Sequence, residues 1–162
     1  MTTGKFSVTP AIRVLREHAV EFTAHEYAYE EKGGTAASAR ELGVPEHQVI
    51  KTLVMEDDAK RPLIVLMHGD KQVSTKNLAR AIGAKSVQPC KPEVADKHSG
   101  YQVGGTSPFG TRRAMPVYMQ RTIAELPRIW INGGRRGFLI ALDPRAVVRV
   151  LAPALVDVAI DA

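Results

Sequence analysis

Apolar residues fall along this chain in short runs separated by glycine, proline and charged punctuation. Thr9 followed by Pro10 predicts a helix start, because the hydroxyl can cap free N–H groups and proline fits the first turn. Ile12, Val14, Leu15 and Ala19 then supply an apolar helical face that ends near Glu17 or His18. Residues 20–29, VEFTAHEYAY, alternate and predict a strand with His25 and Tyr27 at its end. GGTAASARELGV predicts a helix over Ala36 to Leu42, capped by Thr35 and stopped by Gly43. HQVIKTLVMED and RPLIVLMHGD read as two buried strands, rich in β-branched and apolar residues.

The second half continues the pattern. Ser74 or Thr75 can cap a helix through KNLARAIG, AKSVQP reads as a short strand, and KPEVADKHSG as a helix with proline in its first turn. RRAMPVYMQ is extended, and Pro116 places it at a sheet edge or bulge. RIWINGG and GFLIALDP predict two strands joined at GGRRG, and PRAVVRVL predicts a last helix. Strands interleave with short helices, without repeats or linkers, which predicts one α+β domain over residues 1–162 built on a mixed sheet.

Composition narrows the function classes. The 162 residues are 44% apolar, enough for a real core and too apolar for a disordered chain. Twenty-two Lys and Arg face 17 Asp and Glu, a net charge of +5 that admits a polyanionic partner such as RNA and equally suits an ordinary surface. Cys90 is the single cysteine, so no intrachain disulfide forms. No run of signal-peptide length opens the chain and no 18 apolar residues are consecutive, so the expectation is a cytoplasmic protein with no membrane span.

The densest motif is GYQVGGTSPFG, residues 100–110. It lacks the GK[ST] ending of a Walker loop, the spacing of a dinucleotide fingerprint, and the G-x-S-x-G of a nucleophile elbow. Adjacent glycines can bring bare N–H groups to an anion or an oxyanion, or can form only a tight turn. Lys51 interrupts the apolar strand VIKTLVM, which costs free energy unless the charge reaches solvent, pairs with a carboxylate, or serves a pocket. GGRRG displays Arg135 and Arg136 between glycines, which suits phosphate or a terminal nucleotide, or else a solvated hairpin tip; Arg112 and Arg113 add charge beyond the first loop. The five histidines form no HExxH and no zinc spacing with cysteine, so neither a metal nor a cofactor is expected. Cys90 has no local base and reads as structural, and Trp130 reads as core.

Taken in order, IKTLVM, GYQVGGTSPFG and INGGRRG resemble the YbaK/EbsC group of prolyl-tRNA editing-like domains over nearly the whole chain. The resemblance implies a compact, mixed, barrel-like sheet flanked by short helices, the aminoacyl-tRNA synthetase-associated editing fold. It implies removal of wrong amino acids from tRNA, most closely cysteine from tRNA(Pro) and also from tRNA(Cys), with alanyl-tRNA(Pro) the substrate of another branch. The family's lysine falls on Lys51, with Thr52 beside it, and its glycine loop on Gly104, Gly105, Thr106, Ser107 and Pro108. Its tyrosine falls on Tyr27, and its late segment on Asn132, Gly133 and Gly134. Cysteine-acting members are expected to be more polar where this chain has Asn132 and Leu139, which opens the question of amino acid preference. The implied partners are the aminoacylated 3′ end of tRNA and, in a transient complex, prolyl-tRNA synthetase.

The implied chemistry needs no Ser-His-Asp set, because an aminoacyl ester is already activated. Gly104 and Gly105 are expected to donate N–H groups to the oxyanion, with Lys51 anchoring the ribose-phosphate region or stabilising negative charge. The attacking group is either the thiol of a cysteinyl substrate, releasing a thiolactone, or water. A noncatalytic tRNA- or synthetase-binding module is the competing class.

Overall fold

The computed structural model describes residues 6–161; residues 1–5 and 162 of the expected domain lie outside the described residues. The elements, in order, are α1 (Pro10–Glu17), β1 (Thr23–Glu26), α2 (Gly34–Leu42), β2 (Val49–Asp57), β3 (Pro62–His68), β4 (Lys71–Val73), α3 (Thr75–Ile82) and β5 (Val87–Pro89). They continue with α4 (Pro92–Ser99), β6 (Val117–Gln120), β7 (Ile129–Asn132), β8 (Phe138–Leu142), α5 (Pro144–Leu151), β9 (Ala154–Val156) and β10 (Ala159–Asp161). The main sheet runs β1-β8-β7-β2-β3-β6-β9, with β5 also on β2, and β4 pairs β10 separately. β2 is antiparallel to β3 and parallel to β7, and β6 is parallel to both β3 and β9, so the sheet is mixed and the class is α+β.

Burial explains why the central strands lack alternation. Every residue of β3 is buried, because both faces of the sheet are covered. On one face Ile50, Ile64, Leu66, Ile131 and Ile140 pack with Ile12 and Leu15 of α1 and Val147 of α5. On the other, Leu53, Met55, Val65 and Met67 pack with Leu78 of α3, and Val49 and Leu139 with Ala39 of α2. Each such side chain withdrawn from water contributes about 1.5–3 kcal/mol before entropy is charged against it.

Local signals set most helix ends. The Thr9 hydroxyl accepts from the Ile12 amide at 3.2 Å, the Ser74 hydroxyl from that of Asn77 at 3.2 Å, and Gly43 closes α2 in the left-handed region. Three expectations change. The first strand is confined to Thr23–Glu26, where β8 gives it a partner. Thr35 caps nothing: α2 begins at Gly34, and the Thr35 hydroxyl instead donates to Glu46 and the Gly69 carbonyl. β6 is no edge strand, since Pro116 precedes it and β3 and β9 flank it. PRAVVRVL forms α5, the last helix, as expected, and two unforeseen strands, β9 and β10, follow it, short and held by tertiary pairing.

Candidate active site

The site forms where the sheet divides. On the edge of β2 away from β3, β7 pairs only with Val49 and Ile50, and β5 only from Met55 onward. Lys51 to Val54 therefore face no strand on that side. Successive residues of a strand direct their backbone groups to opposite edges. The Val49 carbonyl accepts from Gly69 on the β3 side, and the Val54 carbonyl accepts from Cys90 on the other. By the same parity the N–H and C=O of Thr52 point into the open gap, where no described strand meets them. The Thr52 hydroxyl is also buried without a hydrogen-bond partner among the described residues. A cavity of about 800 Å³ occupies this gap, bounded by α2, the start of α4, the glycine loop and the β7–β8 end.

Lys51 lines that cavity and is half-buried. Its ammonium donates to the carbonyl of Lys71, at the start of β4, and makes no ion pair among the described residues. Burial lowers its pKa below the ordinary 10.5, while the carboxylates of Glu46 and Asp70 oppose the shift. Those carboxylates are held in turn, Glu46 by the Thr35 hydroxyl at 2.7 Å and Asp70 by His47 Nδ1 at 2.9 Å. Lys71 is fixed by β4–β10 pairing and by its own bond to Asp161 at 2.6 Å. Of the readings open for this lysine, no carboxylate pair forms among the described residues; the residue lines the cavity while its ammonium is anchored on the Lys71 carbonyl, outside the cavity's lining residues.

The glycine loop reaches the same cavity through Gly104 and Thr106. The expected pair of free donors is corrected to one. Gly105 gives its N–H to the Gln102 carbonyl at 2.7 Å, closing a turn, whereas the Gly104 N–H has no partner among the described residues. The two glycines serve different ends. A Cβ on Gly105 would lie 2.6 Å from the Arg135–Arg136 backbone, so its absence lets the two loops touch. Gly104 has φ +91°, and a Cβ there would lie 2.6 Å from the Tyr29 hydroxyl. Ser107 is fully buried and accepts from the Phe109 amide at 3.1 Å; it and Pro108 do not line the cavity.

Asn132 joins the loops. Its Oδ1 accepts from the amides of Gly134 at 2.7 Å and Arg135 at 3.1 Å, and its Nδ2 donates to the Gly104 carbonyl at 3.3 Å. The side chain is thus committed to scaffolding although it lines the cavity. Gly133 and Gly134 pack against Phe138 and Tyr101 outside it. Leu139, 4% exposed, makes the adjoining wall apolar. Tyr27 lines the cavity too, its phenol pKa raised by burial.

The four expected tRNA-facing arginines separate. Arg136 lines the cavity, its guanidinium 5.1 Å from the Tyr29 ring centre and its Nε donating to the Val103 carbonyl at 2.9 Å. Arg135 turns back onto Phe138 at 4.3 Å and pairs with Glu26 at 3.0 Å, so the hairpin does not present two equivalent cations. Arg112 and Arg113 lie outside the cavity, and Arg113 borders a second, smaller hollow beside Tyr118. Cys90 does line the cavity, but burial pushes its thiol up to about 11, which keeps it protonated near neutrality. Sequence reasoning missed Tyr29 and Val103, which sit on the cavity rim outside any regular element. It also missed that Thr52 faces a gap, because only the divergence of β7 from β2 creates one. No group of three or more metal-ligating side chains occurs among the described residues.

The family model described as an aminoacyl-tRNA editing domain matches residues 30–150. An Enterococcus faecalis protein named "Putative Cys-tRNA(Pro)/Cys-tRNA(Cys) deacylase EbsC" is 30% identical over 141 residues, 86% of each chain. The proline–tRNA ligase of Nitratidesulfovibrio vulgaris is 31% identical over 95 residues, 59% of this chain and 16% of that ligase. Among solved structures, hypothetical protein APE2540 superposes with a TM-score of 0.86 at 22% identity, over 94% of this chain and all of that one. A structure described as "a putative trans-editing enzyme for prolyl tRNA synthetase" superposes at 0.78 and 19% identity, over 94% and 98%. These two superpositions agree with the α+β architecture derived above.

Proposed function

Because the chain belongs to the aminoacyl-tRNA editing domain family, we propose that it is a deacylase that cleaves the ester bond between a wrong amino acid and the 3′ end of tRNA. One observation carries this reading: a half-buried lysine and an unpartnered amide line one cavity that holds no histidine to activate a hydroxyl or thiol. Lys51 and the Gly104 N–H stand on the cavity wall. The Cys90 thiol is held protonated, the Ser38 hydroxyl donates to the Gly34 and Thr35 carbonyls, and Thr106 donates to the Gln102 carbonyl. Such a site can bind and polarise an activated ester, and in this reading the attacking atom comes from the substrate or from water.

In this reading the Gly104 N–H and the Lys51 ammonium receive the negative charge that develops on the acyl oxygen. The Thr52 N–H and C=O, unpaired in the strand gap, bind the amino acid's own polar groups. With a cysteinyl ester on tRNA(Pro) or tRNA(Cys), the substrate sulfur attacks the acyl carbon and a new S–C bond forms. The C–O bond to the ribose breaks, the thiol proton goes to the ribose oxygen, and a thiolactone leaves beside free tRNA. With water as attacker the products are the free amino acid and tRNA. Leu139 favours keeping the second route in view, since the apolar wall it makes suits a small apolar side chain such as alanine's.

The test is a deacylation panel with cysteinyl-, alanyl- and prolyl-tRNA(Pro), scored for released tRNA and for thiolactone. Turnover of the cysteinyl ester with thiolactone release supports the first route, and turnover of the alanyl ester supports the second. Binding of tRNA with no turnover of any ester would make the chain a noncatalytic module. Association with prolyl-tRNA synthetase is part of the same proposal, and co-sedimentation with that enzyme checks it.

A further inference from the structure

The cavity has a rim that the deacylation chemistry does not use. Tyr29 is 38% exposed and Val103 41% exposed, two of the few large apolar side chains left open to solvent in the described chain. Both border the cavity, and Arg136 lies between them. Its guanidinium stands 5.1 Å from the centre of the Tyr29 ring, held there by the Nε bond to the Val103 carbonyl at 2.9 Å. The assembly is registered to the glycine loop: a Cβ on Gly104 would lie 2.6 Å from the Tyr29 hydroxyl, and Gly104, whose N–H has no partner among the described residues, lines the same cavity. A half-exposed ring costs free energy in water unless something covers it, and a cation stacked on it does so only in part.

We propose that Tyr29, with Arg136 stacked on it and Val103 beside it, seats the terminal base of the aminoacylated RNA. The proposal rests on the deacylase reading and extends it. With the acyl carbon at Gly104, the ester-linked ribose would stand between Gly104 and the neighbouring Tyr29. The group attached to that sugar is a flat, apolar-faced base, and the next group along is a phosphate. The guanidinium covers one face of the phenol ring, so the base stacks on the other face while the cation meets the phosphate. Base stacking on an aromatic tolerates any base identity, so selection at this rim is for a nucleoside rather than a sequence.

The experiment compares the intact chain with Tyr29→Ala and Tyr29→Phe on two esters of one amino acid, its 2′(3′)-adenosine ester and its ethyl ester. The wild-type chain is expected to prefer the nucleoside ester. In Tyr29→Ala that ratio of kcat/KM is expected to fall about tenfold or more, mostly through KM, and Tyr29→Phe is expected to restore it. An unchanged ratio, or an equal loss on both esters, overturns the platform. Were the wild-type chain to turn over neither ester, the deacylase reading would still be decided separately, by the aminoacyl-tRNA panel. The platform is then decided by NMR titration with 3′-aminoacylamino-3′-deoxyadenosine. Binding that weakens about tenfold in Tyr29→Ala retains it, and no binding, or equal binding, removes it.

Discussion

Replacing Lys51 by methionine separates function from folding more cleanly than any other substitution in the cavity. Methionine keeps the unbranched apolar stem and removes the ammonium. Two stability effects oppose each other. The hydrogen bond from the charged ammonium to the Lys71 carbonyl is lost, at about 1.5–3 kcal/mol. Against it, a cation whose pKa burial lowers is no longer kept charged in a half-buried position. The offset is partial and leaves a net cost of about 2 kcal/mol at most, so Tm should fall by no more than about 4–8 °C in a chain of this length. Activity should respond quite differently. Removing one preorganised charge or donor from a developing oxyanion costs about 10²–10³ in rate, equivalent to about 2.7–4 kcal/mol. The assay pairs thermal unfolding with single-turnover deacylation of the preferred aminoacyl-tRNA. Near-full turnover in a folded Lys51→Met protein would refute the role given to the ammonium, and a collapsed melting curve would show the lysine to be structural.

Four further outcomes rest on the same structure. Gly105→Ala should destabilise the fold by more than Gly104→Ala, because its Cβ meets immovable backbone of residues 135 and 136, whereas that of Gly104 meets the end of a tyrosine; equal melting shifts would contradict this. Gly104→Ala should instead lose activity in excess of its stability loss, since its φ of +91° and its free N–H are both disturbed. Arg136→Ala should weaken tRNA binding and flatten its salt dependence, while Arg135→Ala, already neutralised by Glu26, should change the slope little; equal slopes in filter binding would relocate the RNA surface. Finally, burial lowers the pKa of His68 below 6.5, so the unfolded chain takes up a proton there that the folded chain refuses. Stability should therefore fall as pH drops from 6.5 through the folded value, and His68→Gln should remove part of that slope in urea titrations, with His25, also lowered, supplying another part.

Much of this molecule was written in local chemistry. Thr9, Ser74, Gly43 and Gly83 end helices through caps and left-handed turns that need only neighbouring residues, so they can be read from spacing. The apolar run of β3 foretells a strand covered on both faces. Lys51 stands out because a charge inside such a run needs a reason. Thr35 shows the limit: a threonine before a helix looks like a cap until Glu46 and Gly69, distant in the chain, claim its hydroxyl. β9 and β10 were illegible because three residues have no periodicity, and only β6 and β4 give them partners.

The site divides the same way. Residue type and order brought Lys51, Gly104 and Tyr27 forward, since a cation in a strand, a glycine pair and a strand-end aromatic each carry a local cost or freedom. What each one does was decided by long-range contacts. β7 leaves β2 after Ile50, and that divergence exposes the Thr52 backbone and opens the cavity. The turn to Gln102 takes the Gly105 amide and leaves that of Gly104, while Glu26 and Phe138 draw Arg135 away and Val103 holds Arg136 in place. Sequence sets which groups can bear a charge or adopt a rare dihedral, because those are properties of single residues. Which of them remain unsatisfied depends on every partner the fold brings near, and an unsatisfied group is what a substrate can use.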